Sequence, residues 1–138
     1  MLTQQDGAKG PLTDLKLVEL GQLIAGPFCG QLMADMGADV IKVEPPGKGD
    51  PMRDWGRGDY PLWWTVCARN KRCVTANLRV EEGQALVKEL VKDADFLLEN
   101  FRPGTMERWG LDYETLKAIN QKLIMIRVSG YGQTGPYA

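Results

Sequence analysis

Three observations predict an α/β fold built on a mostly parallel sheet. Short apolar runs of strand length alternate with longer stretches of helical periodicity. The first strand, helix and second strand fit within roughly thirty residues, the spacing of a βαβ unit with parallel strands. Each proposed strand is followed by a loop rich in glycine, polar or basic residues, where open α/β sheets bind their ligands.

The elements follow in order. Leu15 to Leu20 (LKLVEL) reads as a strand that ends at Gly21. Gly26 and Pro27 open a helix, with proline near the first helical position, where its missing N–H costs nothing. Phe28, Leu32, Met33 and Met36 share one helix face and are expected to point at the core, and Gly37 suits the C-cap. Asp39 to Glu44 (DVIKVE) is a second, half-buried strand. Prolines and glycines from Pro45 to Pro61 then predict a long loop, functional or disordered by its length. Trp55, Tyr60, Trp63 and Trp64 favour order, either plugging a core or interface or touching a ligand. Cys73 to Leu78 is the third strand and Glu81 to Lys92 a helix, with Leu86, Val87, Leu90 and Val91 facing inward. Asp95 to Glu99 is the fourth strand, Tyr113 to Asn120 a helix, and Leu123 to Val128 the fifth strand. A glycine-rich loop runs from Ser129 to Pro136.

The 138 residues suffice for one domain, and 43% hydrophobic with 25% charged residues is ordinary globular composition. A net charge of −1 argues against a wholly basic nucleic-acid-binding surface. There is no apolar run of about 18 residues, so no membrane span is expected. Residues 1–11 read as a flexible lead-in, and residues 12–138 as the folded unit. Cys29, Cys67 and Cys73 are odd in number and lack C-x-x-C spacing. They suggest neither a disulfide framework nor a zinc site, and fit a reducing compartment, most simply the cytoplasm. The chain has no histidine, which excludes Ser-His and Cys-His nucleophile pairs and histidine metal sites within it.

Chemistry is therefore sought in the strand-end loops. Gly21 to Gly26 departs from G-x-G-x-x-G by lacking the middle glycine, which counts against a dinucleotide despite Glu44 at the end of the second strand. Arg69, Lys71 and Arg72, with Arg79, Arg102 and Arg108 further on, are either a solvated surface or a cradle for phosphate. Phe101, between Asn100 and Arg102, is open to packing or to stacking on a base. Cys29 lies on the apolar side of its helix with no base to activate it, and reads as core.

Five segments taken together are more specific. Residues 23–28 (LIAGPF), residues 32–50 (LMADMGADVIKVEPPGKGD), Arg69-Asn70-Lys71-Arg72, Glu99 to Gly104 (ENFRPG) and Ser129 to Tyr137 (SGYGQTGPY) resemble the N-terminal part of family III coenzyme A transferases. The family includes formyl-CoA transferase, carnitine and dicarboxylate CoA-transferases, and alpha-methylacyl-CoA racemase. The resemblance runs from about Leu12 to the last residue, Ala138. It implies an incomplete N-terminal part of a Rossmann-like large domain, from a fold in which two subunits form interlocked rings. It implies coenzyme A across the strand-end loops, an acyl-CoA and a small carboxylic acid as partners, and no metal, nucleic acid or membrane. Carried over by position, Ile24 and Ala25 belong near the pantetheine, with Ala76 and Arg79 around the adenosine and phosphates. Asn100, Phe101 and Arg102 would line the pocket, Arg108 would be a further phosphate partner, and Gly130 and Tyr131 would approach the thioester. Where some members carry an arginine after the strand-two glutamate, this chain has Pro45, so one cofactor contact is in doubt.

The family's nucleophilic aspartate lies downstream of the Gly-Tyr-Gly-Gln-Thr-Gly-Pro-Tyr segment. It is therefore expected beyond Ala138, and no aspartate of this chain occupies its position. The expected function is transfer of CoA from an acyl-CoA to a carboxylic acid through an aspartyl intermediate, with this chain supplying cofactor contacts and no catalytic residue. By itself the chain is expected to be inactive. The alternatives are an acyl-CoA racemase or epimerase of the same family, and a non-catalytic nucleotide-binding or interaction module.

Overall fold

The computed structural model describes residues 10–57 and 60–138. Five strands form one sheet, every pair parallel, in the order β3-β2-β1-β4-β5. They are β1 (Lys16–Glu19), β2 (Asp39–Glu44), β3 (Lys71–Thr75), β4 (Phe96–Glu99) and β5 (Ile124–Arg127). The helices are α1 (Ala25–Asp35), α2 (Leu62–Cys67), α3 (Glu81–Val91), α4 (Thr105–Arg108) and α5 (Tyr113–Ile119). The α/β class with a parallel, Rossmann-like sheet is thus observed. The strand order reverses between β1 and β4, which makes the loops after these two strands the natural ligand crevice.

Side-chain alternation along the strands divides the core in two. Leu17, Val40 and Leu98 point to one face and pack with Ala34 of α1. Val18, Val43 and Leu97 point to the other, against Val87 and Val91 of α3, Leu116 of α5, and Met106 and Leu111. Helix α3 begins with Glu81 and Glu82, whose charges suit the positive end of the helix dipole. Helix α5 is capped by Asp112, which accepts from the Thr115 backbone N–H at 3.0 Å.

Several expectations need correction. Strand β3 begins and ends earlier than Cys73 to Leu78, because Lys71 and Arg72 at its start form ion pairs that compensate their charge on an edge strand. The stretch from Pro45 to Pro61 is not one irregular loop. Asp50 caps a 3-10 turn over Pro51–Asp54, and Pro61 leads directly into α2. Helix α4 is likewise a turn too short to show periodicity. The apolar face of α1 was expected inward, yet Phe28, Leu32 and Met36 are 50%, 44% and 47% exposed. Gly26, Pro27, Gly30, Gln31 and Ala34 are the buried residues instead, because charged groups lie beneath the helix and, at Gly30, Glu19 leaves no room for a side chain. On α3, Leu86 is exposed while Val87 and Val91 are buried. Of the lead-in proposed for residues 1–11, residues 1–9 lie outside the described residues. Gly10 packs against the end of α1, where its carbonyl accepts from Thr13 Oγ1 at 2.7 Å.

The charged groups under α1 make a testable statement about Gly30. A β-carbon at this position would fall 1.9 Å from Glu19 Oε2. Gly30→Ala is expected to lower unfolding stability by about 3 kcal/mol or more, through overpacking and a broken buried ion pair. Gly130→Ala, with open space around its β-carbon and φ outside the left-handed region, should stay within about 0.5 kcal/mol. Equal urea midpoints for the two variants would refute this account of α1.

Candidate functional site

A cavity of about 410 Å³ opens at the carboxyl ends of the strands. Leu20 and Gln22 after β1, Val43 to Pro46 at the end of β2, and Ala76 to Arg79 after β3 line it, and Phe101 and Trp109 close it. The rings of Phe101 and Trp109 meet edge to face, with centroids 5.1 Å apart. Much of the wall is apolar, while Gln22, Asn77 and Arg79 supply hydrogen-bonding groups and a positive charge. Apolar walls with a few convergent polar groups suit a flat ring, and the Arg79 guanidinium suits an anionic substituent on it.

Each wall is held from behind. Glu99, fully buried at the end of β4, accepts from the Phe101 backbone N–H at 2.7 Å and from Arg127 Nε at 2.7 Å. Arg127 in turn donates to Glu107 Oε1 at 2.7 Å. Asn100 bridges the switch point, its Oδ1 accepting from the Gln22 N–H at 2.8 Å and its Nδ2 donating to the Gln22 carbonyl at 2.9 Å. Glu44 accepts from Arg53 Nε at 2.7 Å and Nη2 at 2.8 Å, and from the Asp50 N–H at 2.8 Å. The Arg53 guanidinium lies 3.8 Å from the centre of the Trp64 ring. Trp64 therefore braces a charged pair, whereas Tyr60 and Trp63 are exposed.

Behind the first loop lies a buried charge cluster of two carboxylates and two ammonium groups. Glu19 Oε1 accepts from Lys42 Nζ at 2.9 Å and its Oε2 accepts from Lys71 Nζ at 2.7 Å. Lys42 Nζ also donates to the Gly21 carbonyl at 2.7 Å and stands 2.8 Å from Asp50 Oδ2, an ionic contact without hydrogen-bond alignment. Lys71 Nζ donates to the Pro27 carbonyl at 2.7 Å. Burial alone would push Lys42 down, but Glu19 and Asp50 outweigh it and hold its pKa above the ordinary value. Lys71 faces Glu19 with Lys42 nearby, and there burial prevails and lowers the pKa.

The residues implied by the family resemblance separate into groups. Ala76, Arg79 and Phe101 line one cavity. Asn100 adjoins it and ties two loops. Ile24 is 51% exposed at the start of α1, and Ala25 follows it. Arg102 is exposed, and Arg108 donates to Thr105 Oγ1 at 3.0 Å on the outer side of α4. Gly130 and Tyr131 lie beyond β5, where Tyr131 is 78% exposed and packs on Tyr137. None of these last six is in the cavity lining. The segment after β5 closes on a turn in which the Ala138 N–H donates to the Gly135 carbonyl at 3.3 Å. The nucleophilic aspartate is expected downstream of Ala138, outside the described residues. The basic cluster resolves into pairs, Arg69 with Asp35, Lys71 with Glu19 and Arg72 with Asp39, and forms no open cradle. Cys29 is half-buried against the α1-side core, and burial raises its thiol pKa. Sequence reasoning missed the supporting roles of Lys42, Asp50, Glu19 and Glu99. For Lys42, Glu19 and Glu99 the one available signal was charge at strand positions that ought to be apolar, whereas Asp50 lies in the loop after β2.

No group of three or more His, Cys, Asp or Glu that could hold a metal ion occurs among the described residues. No helix among them is long and apolar enough to cross a membrane. Glu44, the carboxylate in the cavity lining, is committed to Arg53.

The sequence pattern of CoA-transferase family III matches residues 12–138. The chain is 67% identical over 130 residues to succinyl-CoA–D-citramalate CoA-transferase of Chloroflexus aurantiacus, covering 92% of this chain and 32% of that protein. It is 43% identical over 146 residues to succinate–glutarate CoA-transferase of Agrobacterium fabrum, covering 99% and 36%. A crystal structure of a CaiB/BaiF family protein from Brucella suis superposes with a TM-score of 0.88 at 47% identity, over 94% of this chain and 36% of that one. The chain thus spans about a third of the length of these relatives.

Two measurements probe the site's electrostatics. Burial raises the Glu44 carboxyl, but Arg53 and the Asp50 N–H outweigh it and leave its pKa below the ordinary 4.5. A depressed carboxylate pKa stabilises the fold above the unfolded value, and that contribution disappears as pH falls through the folded value. Wild-type melting temperature should therefore drop as pH falls below about 4.5, and Glu44→Gln should flatten that drop. Identical profiles would dismiss the pairing. Cys73 is exposed on the edge strand, yet partial desolvation and the neighbouring Glu44 carboxylate push its thiol up to about 11. At pH 8 it should then hold about a hundredfold less thiolate than a free cysteine and react with iodoacetamide at least about tenfold more slowly, as read by peptide mass spectrometry.

Proposed function

The chain belongs to CoA-transferase family III, and from that premise we propose that it serves transfer of CoA from succinyl-CoA to a small dicarboxylic acid. The relatives' names motivate the substrates. Proteins named for succinyl-CoA with D-citramalate and with L-malate match at 67% and 50% identity. In the reaction an aspartate carboxylate attacks the thioester carbonyl, giving a mixed anhydride and the CoA thiolate. The thiolate then attacks the aspartyl carbonyl, releasing succinate and leaving aspartyl-CoA. The acceptor's carboxylate attacks that thioester, and the returning thiolate takes the acceptor acyl group and frees the aspartate.

The observation that carries this reading is the strand-end cavity with Arg79 at its rim and Phe101 against Trp109 in its wall. The adenine occupies the apolar part, and Arg79 meets the phosphate on the ribose. Three aspartates of the chain are engaged in ion pairs. Asp35 pairs with Arg69, Asp39 with Arg72 and Asp50 with Lys42. On the family resemblance the nucleophile belongs downstream of Ala138, and the assembly is the interlocked dimer.

The complete enzyme, carrying the nucleophile-bearing portion beyond Ala138, should convert succinyl-CoA with D-citramalate or L-malate to the acceptor's CoA thioester and equimolar succinate, separated by liquid chromatography. No thioester with either acceptor would reject the substrate assignment. Arg79→Ala should weaken CoA about tenfold more than dephospho-CoA, as expected for loss of a charge-assisted phosphate contact. Equal losses for the two ligands would remove Arg79 from the phosphate.

A further inference from the structure

Leu23 has φ of +61°, a left-handed conformation that is strained for a residue with a branched side chain. It sits in the loop between β1 and α1, next to Gln22, which lines the cavity. Such strain persists only where the surroundings over-determine it. Here they do. The Leu23 N–H donates to Asp50 Oδ1 at 3.1 Å, and the same oxygen accepts from the Met52 N–H at 2.9 Å. Asp50 is 1% exposed, and its other oxygen rests against Lys42, itself bound to Glu19 and to the Gly21 carbonyl. Asn100 holds both backbone groups of Gln22, and Lys71 holds the Pro27 carbonyl. Side chains from β2, β3 and the loops after β2 and β4 thus grip one short stretch of backbone from residue 21 to residue 27.

We infer that Asp50, anchored by Lys42, is a positioning residue that sets the strained Leu23 turn and so presents residues 22–25 to the ligand leaving the cavity. This rests on the reading of the cavity as the adenosine end of the CoA site. The adenosine and its phosphates meet Ala76, Arg79 and Phe101, none of which touches Asp50 in the hydrogen-bond network. The arm extending beyond the cavity passes the loop that Asp50 sets. A ligand that stops at the adenosine phosphates does not need the turn, whereas one that continues past Gln22 does.

The test compares CoA with adenosine 3′,5′-bisphosphate, titrated calorimetrically into the full chain and its variants. Asp50→Ala should weaken CoA about tenfold, as the competent loop becomes a minor conformer, and leave the bisphosphate within about twofold. Asp50→Asn keeps an oxygen for the Leu23 N–H and should recover most of the CoA affinity. Leu23→Gly relieves the backbone strain without touching the charge cluster, so it guards against an unfolded Asp50→Ala protein. With the left-handed turn made easy, it should leave CoA and the bisphosphate within about twofold and raise the melting temperature, and combined with Asp50→Ala it should restore most of the CoA affinity. Parallel loss of both ligands would make the cluster merely structural and overturn the inference, as would unchanged CoA affinity in Asp50→Ala or failure of Leu23→Gly to restore CoA binding to it. Failure of the unaltered chain to bind either ligand would instead overturn the reading of the cavity, and this inference with it.

Discussion

Two ammonium groups and two carboxylates lie buried between the sheet and the first half of α1, and much of the molecule's detail follows from accommodating them. Each lysine reaches Glu19, and each also satisfies a backbone carbonyl, Gly21 for Lys42 and Pro27 for Lys71. The formal charges cancel, so no net charge is left in a place water does not reach. Replacing such a cluster wholesale with apolar residues often leaves stability unchanged or raises it, whereas removing one partner strands the other. Its worth is therefore geometric. It fixes the turn after β1, the spacing of α1 over the sheet, and the path of the chain after β2.

That geometry explains the inversion of α1. A helix lying over charged side chains needs a small inner surface, which Gly26, Gly30 and Ala34 provide, and its larger apolar residues are displaced outward. Periodicity shows that apolar residues share a face, but not which face is buried. The same cluster explains why β3 was shifted. Lys71 and Arg72 look like loop residues until their partners Glu19 and Asp39 are known, 52 and 33 positions away. The remaining strands were legible because Leu17, Val18, Val40, Leu97 and Leu98 are buried for the usual reason. Short elements such as α2 and α4 left no periodic trace.

The site was legible in a different way. Periodicity located the strand-end loops, and the parallel topology implied that they gather at one edge. The resemblance then singled out Ala76, Arg79 and Phe101, which line one cavity although the first two follow β3 and Phe101 follows β4. Glu99 and Asp50 escaped notice because their significance is relational. Glu99 matters through the Phe101 amide and Arg127, and Asp50 through Leu23 and Lys42. A carboxylate that organises a loop looks, in one dimension, like any other acidic residue.

The strand order also sets a timetable for a chain emerging residue by residue from the ribosome. β1, β2 and β3 are contiguous both in sequence and in the sheet, so the charge cluster has all its members once Lys71 has appeared. The other side of β1 must wait for β4, and the cavity for Phe101 and Trp109. The nascent chain can thus set its Leu23 turn while half of the ligand's walls are still unsynthesised. The loop is shaped before there is anything for it to hold.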